Sequence, residues 1–124
     1  MRKILLGVIT GALAVGTHAQ NQQDGPALKK PLTAEYTIYS GSLADERAPT
    51  KGDRKIAFEV TGQAAKEIFD SLYPDVQGVR CSDEQGERMR RKGQVWCIYT
   101  PEAGYRCFFG FDLRSGNCIA GGSC

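Results

Sequence analysis

Residues 55–74, KIAFEVTGQAAKEIFDSLYP, read as a strand handing over to a helix. Ile56, Phe58 and Val60 alternate with Ala57 and Glu59, the period of two expected of a strand with one buried face. From Gly62 the period changes. Ala64, Ile68 and Leu72 recur at i, i+4 and i+8 with Ala65 and Phe69 beside them, while Gln63, Lys66, Glu67 and Asp70 fall on the far side. Thr61 offers a hydroxyl to the first turn, Gly62 permits a sharp bend into it, and Pro74 lacks the donor a further turn needs. The spacing predicts a helix over 62–72. A single helix of this length needs a sheet to cover. The expected fold is therefore α+β: a small antiparallel sheet of four to six strands, covered on one face by that helix and stabilised by disulfides.

Downstream, residues 94–100 (QVWCIYT) and 105–112 (YRCFFGFD) flank Pro101-Glu102-Ala103-Gly104, which suits a four-residue hairpin loop. Such a loop pairs Thr100 with Tyr105. In that register Trp96, Ile98, Tyr105, Cys107, Phe109 and Phe111 share the helix-facing side, and Val95, Cys97, Tyr99, Arg106, Phe108 and Gly110 the other. Tyr99 and Phe108 thus turn away from the helix as a candidate apolar contact surface. Upstream, Tyr36, Ile38 and Ser40 alternate with Thr37 and Tyr39 as a first strand starting near Glu35, and residues 41–53 read as a loop.

The amino terminus has the pattern of a secretory leader. Arg2 and Lys3 precede an apolar run from Ile4 to Val15, and Thr17 and Ala19 are small residues at −3 and −1 of a cut before Gln20. The run is too short for a membrane span, which needs about 20 apolar residues. The expected organisation is a leader over 1–19, a polar flexible spacer over 20–33 and one α+β domain over 34–124. The short leader with an Ala-type cut points to a bacterial envelope protein, periplasmic or secreted. Cleavage removes His18, the one histidine, together with two of the 16 basic residues, and the remaining basic residues then match the 14 acidic ones. Net charge therefore gives no support to nucleic-acid or membrane-surface binding.

All five cysteines, Cys81, Cys97, Cys107, Cys118 and Cys124, lie in the carboxyl-terminal third. In an exported chain they read as disulfides rather than as zinc ligands, since no C-x-x-C occurs and no histidine remains. Two bridges are expected, Cys81–Cys97 and Cys107–Cys124, with Cys118 left over and able to link chains. The second follows from a two-residue turn at Ser115-Gly116, which sets Cys124 opposite Cys107.

The residue inventory favours binding over catalysis. A mature chain without histidine has no Ser-His or Cys-His nucleophile, and there is no glycine-rich phosphate loop opening a helix. The carboxylate groups Asp45–Glu46 and Asp83, Glu84, Glu87 stand in polar, loop-like stretches as the only hint of a small glycan-acting hydrolase. No metal and no cofactor is expected. The densest charge cluster, Arg88, Arg90, Arg91 and Lys92, reads as a connecting loop that would present planar guanidinium forks to an acidic partner.

The plan of leader, short spacer and disulfide-bridged β-rich domain is similar to that of small periplasmic lysozyme inhibitors and of immunity proteins. Ser40-Gly41-Ser42 resembles the Ser-Gly loop of one lysozyme-inhibitor family, whose following tyrosine is missing and whose all-β barrel does not suit a helix at 62–72. The resemblance is one of size and compartment, and no functional residue is carried over. The function expected is a non-enzymatic binding protein of the cell envelope, of inhibitor or immunity type, with a protein partner. A structural or accessory envelope role, binding through the sheet face or edge, is the alternative.

Overall fold

The structure, a computed structural model, describes Gly11, Gly16 and residues 25–124. The expected leader lies outside the described residues apart from those two glycines. None of the described helices is long and apolar enough to cross a membrane.

The strand-to-helix switch falls where the periodicity changes, with β3 at Lys55–Thr61 and α1 at Gly62–Ser71. Gly62 makes the bend at φ +71°, a left-handed conformation that costs glycine nothing. Thr61 stands at the N-cap in an extended conformation, but its hydroxyl makes no capping bond. Helix burial centres one position later than the i, i+4, i+8 stripe. Ala65 and Phe69 are completely buried, with Ala64, Ile68 and Leu72 half-buried around them.

Six strands form one antiparallel path in the order β2-β1-β3-β6-β5-β4, where β1 is Thr33–Ser42, β2 Asp45–Arg47, β4 Arg88–Lys92, β5 Val95–Thr100 and β6 Gly104–Asp112. A two-residue β7, Cys118–Ile119, adds to β6 beyond the end of β5. The helix lies over β3, β6 and β5. Beneath it Val60, Cys97 and Cys107 complete the core, with Phe58, Tyr99, Tyr105 and Phe109 packed around.

The β5–β6 register differs by one residue from the sequence expectation. Thr100 pairs with Gly104, not Tyr105, because the loop is three residues long and closes on Gly104 at φ +73°. The Thr100 hydroxyl accepts the Ala103 N–H at 3.1 Å and fixes the turn. A one-residue slip moves every side chain of a strand to the opposite face. Cys97 and Tyr99 therefore face the helix, and Trp96 and Ile98 face away, the reverse of the expected assignment. The faces of β6 are as expected.

The slip also rewrites the disulfides. Cys97 and Cys107 now stand directly opposite each other, Cα–Cα 4.0 Å, and form a bridge buried under the helix. Cys81 bonds Cys124 instead, and Cys118 is free and exposed. The expected pairs Cys81–Cys97 and Cys107–Cys124 are thus both replaced. Residues 118–119 do return beside β6, but Phe111 pairs with Cys118, and the chain then leaves the ladder instead of running on to Cys107.

The sheet face away from the helix is covered in part. Met89, Trp96 and Ile98 form a second cluster there with Val76, Cys81 and Phe108, under the 72–87 connection and the carboxyl-terminal strap 120–124. The Cys81–Cys124 bridge ties these two coverings together. Gly121 and Gly122 let the strap lie flat: a Cβ on Gly121 would come within 1.9 Å of the Phe109 carbonyl oxygen, and one on Gly122 within 2.7 Å of the Phe108 ring.

Candidate functional site

The basic cluster is not a loop. Residues 88–92 form edge strand β4, whose alternation splits the charges between two faces. Arg88 and Arg90 point to the helix side and grip one carboxylate, Asp75. Arg88 donates to it from Nε at 2.8 Å and Nη2 at 3.1 Å, and Arg90 from Nε at 2.7 Å. Hydrogen bonds from Arg88 and then Arg90 hold the Asp75 carboxyl down at about 2. Arg90 is 8% exposed, stacks 4.3 Å from the Phe69 ring centroid, and donates to the Phe69 and Asp70 carbonyls at the end of α1. The Phe69 carbonyl also accepts the Leu72 N–H at 3.1 Å, and a cation suits that end of the helix dipole. Arg90 is a structural cap. Arg91 lies on the other face, 5.8 Å from the Trp96 ring centroid, and Lys92 is exposed at the β4–β5 turn. The cluster does not converge on a common ligand, and its charges suit an edge strand that must not pair with another chain.

Tyr99 is also drawn inward, 4.7 Å from the Tyr105 ring on the helix side. Of the six expected contact residues, only Phe108 lines a broad concavity on the sheet face away from the helix.

That concavity is a trough of about 630 Å³ on the open face, across β1, β3 and β6. Thr37 and Ala57 are paired across its floor, and Glu59 sits between Glu35 on one side and Phe108 on the other. Leu43 and Glu46 of the β1–β2 hairpin bound one end, and Gly121-Gly122-Ser123 of the strap the other. The hairpin end is pinned. The Gly41 N–H donates to Asp53 Oδ2 at 2.8 Å, Lys55 Nζ to the Gly41 carbonyl at 3.0 Å, and the Ser40 hydroxyl to the Ala48 carbonyl at 2.8 Å. Ser40-Gly41-Ser42 is thus part of the β1–β2 ladder, with Gly41 at φ +81°.

Three carboxylates, Glu35, Glu46 and Glu59, serve this trough. Glu35 and Glu59 are direct cross-strand partners on one face, an arrangement that destabilises a sheet by placing like charges opposite each other. Glu59 has a long-range partner in Arg106, 3.8 Å away. Among the described residues no ion pair reaches Glu35. Its partnerless position was detectable in the sequence only as an isolated acid in an otherwise uncharged strand.

Of the carboxylates singled out from the sequence, Glu46 lines the trough, while Glu87, Glu84 and Asp45 are engaged elsewhere. Glu87 accepts from the Cys81 N–H at 2.7 Å and from the Ser82 hydroxyl, and the Ser82 bond chiefly lowers its pKa. Glu84 accepts from the Glu102 N–H at 3.0 Å, and Asp45 pairs with Arg47 at 2.5 Å. Among the described residues no three His, Cys, Asp or Glu side chains converge as metal ligands. The two disulfides and the lack of a membrane-length described helix are compatible with a periplasmic or secreted location. No protein-family model, no curated protein and no solved structure matches this chain.

Proposed function

We propose that the chain is exported, loses its leader, and works as a non-enzymatic binding protein of the bacterial envelope, of inhibitor or immunity type. The trough receives a basic segment of its protein partner. The observation that carries this reading is the Glu35–Glu59 pair, with Glu46 at the hairpin end. Like charges set across a ladder cost the free protein stability, and a cation lodged between them reverses the sign of that contribution. Phe108 adds an apolar floor against which the stem of a lysine or arginine can lie. The accessory-protein alternative assigns Glu35 no such role.

Oxidised protein, produced with its own leader and recovered from the periplasm, is titrated calorimetrically with a blocked heptapeptide of alternating lysine and valine. The glutamate–valine counterpart serves as control. The lysine peptide binds, more weakly as salt rises, and Glu35→Gln reduces its affinity about threefold, as expected for one half-exposed ion pair of roughly 0.7 kcal/mol. The same substitution raises unfolding free energy by about 0.2–1 kcal/mol through relief of the like-charge pair. Equal binding of both peptides, or a Glu35→Gln variant of unaltered affinity, refutes the assignment.

A further inference from the structure

The sheet has an unprotected edge. β3 pairs with β1 along its whole length from Thr33 to Tyr39, but on the outer side β2 covers β1 only at Ser40–Ser42. Residues 33–39 (TAEYTIY) therefore present a row of backbone N–H and C=O groups with no ladder partner among the described residues, from about every second residue of an antiparallel strand. The other outer strands are guarded. β4 carries four cations in five residues, and β2 consists of three charged residues. The open stretch of β1 has neither lysine nor proline, holds one charge, and is rich in strand-forming residues.

We propose that this edge takes the partner's basic segment as an added antiparallel strand, an inference that rests on the trough reading above. Main-chain hydrogen bonds supply the attachment, and side-chain alternation supplies the selectivity. Every second side chain of the added strand falls on the trough face, beside Glu35 and, where β2 begins, near Glu46. The intervening ones meet Ala34 and the 71%-exposed Tyr36 on the opposite face. The favoured sequence is therefore basic–apolar–basic. β2 lies in line with the incoming strand and stops it at Ser40, which fixes the register.

The test uses oxidised protein as exported and three forms of the lysine–valine heptapeptide: unmodified, N-methylated on the lysines, and N-methylated on the valines. An added edge strand uses only one of its two hydrogen-bonding edges. One methylated form is thus expected to lose at least tenfold in affinity and the other to stay within threefold. Amides among residues 33–39 should exchange at least tenfold more slowly with the unmodified peptide bound. If both methylated forms bind like the parent, or both lose affinity alike, strand addition is overturned while the acidic trough stands. If the unmodified peptide does not bind, both readings fail. A concentration-dependent dimer in sedimentation that the peptide does not dissociate assigns the edge to a second copy and also overturns the proposal.

Discussion

Replacing Asp75 by Asn removes the one anion shared by Arg88 and Arg90 while keeping its shape. The Arg90 side chain is 10% exposed and remains bonded to the helix carbonyls, so its charge is left with dipoles alone. The carboxyl falls from 3.8 to about 2 on folding. At about 1.36 kcal/mol per unit this corresponds to ~2.4 kcal/mol. Asp75 keeps about a quarter of its side-chain surface in solvent, and screening brings the expected loss nearer ~1.5 kcal/mol. Because the folded pKa is the lower one, this stability is fully present above the unfolded value and disappears as pH falls through the folded value. The difference between wild type and Asp75→Asn should thus be complete at pH 6, roughly halved at pH 3 and nearly gone at pH 2. Urea unfolding followed by Trp96, the single tryptophan and 2% exposed, gives both arms of the measurement. For a domain of this size the neutral-pH midpoint should drop by about 1 M. A gap below about 0.5 kcal/mol at pH 6, or one that stays constant down to pH 2, would falsify the view of this triad as a structural clamp.

Gly121→Ala forces a methyl into the Phe109 carbonyl and should cost about 1–3 kcal/mol. Near-UV circular dichroism of Trp96 should change with it, whereas Gly52→Ala, whose added methyl would meet only the Thr50 hydroxyl oxygen at 4.0 Å, should stay within about 0.5 kcal/mol. Mass spectrometry of non-reduced peptides should recover the links Cys81–Cys124 and Cys97–Cys107, with one thiol per chain reacting with maleimide under native conditions. Cys118→Ser should abolish that reaction and shift stability by no more than about 0.5 kcal/mol.

The elements built on strong periodicity were legible in the chain. The helix, expected over 62–72, spans Gly62–Ser71 with Leu72 as its cap, and β3, β5 and β6 lie within a residue or so of the expected strands. Where periodicity is weak the reading fails for a physical reason. β4 is RMRRK, and β2 is DER; an edge strand carries charge to avoid pairing, which erases the alternation that would reveal it. The hairpin register turned on whether Gly104 belongs to the loop or to the strand. That single choice propagated to the faces of Trp96, Cys97 and Tyr99 and to both bridges. Of the trough, Phe108 and Glu46 were singled out from the sequence, but their convergence on one concavity was not legible. Glu35, Glu46 and Glu59 lie on three strands and line one concavity only through the pairing of β1 with β2 and β3.

The layout of the outer strands bears on how a partner would arrive. Arg91 and Lys92, the cations of β4 that Asp75 does not hold, mark one rim of the sheet; Glu46 on β2 marks the opposite one, five strand spacings or about 24 Å away, with Glu35 on β1 one spacing nearer. A chain with balanced positive and negative residues beyond its first 19 can therefore have a sizeable electric dipole. Such a body is turned rather than pulled by a charged neighbour, and a cation-bearing protein would meet the glutamate rim first. Encounter would then slow with added electrolyte even though the summed charge is nil.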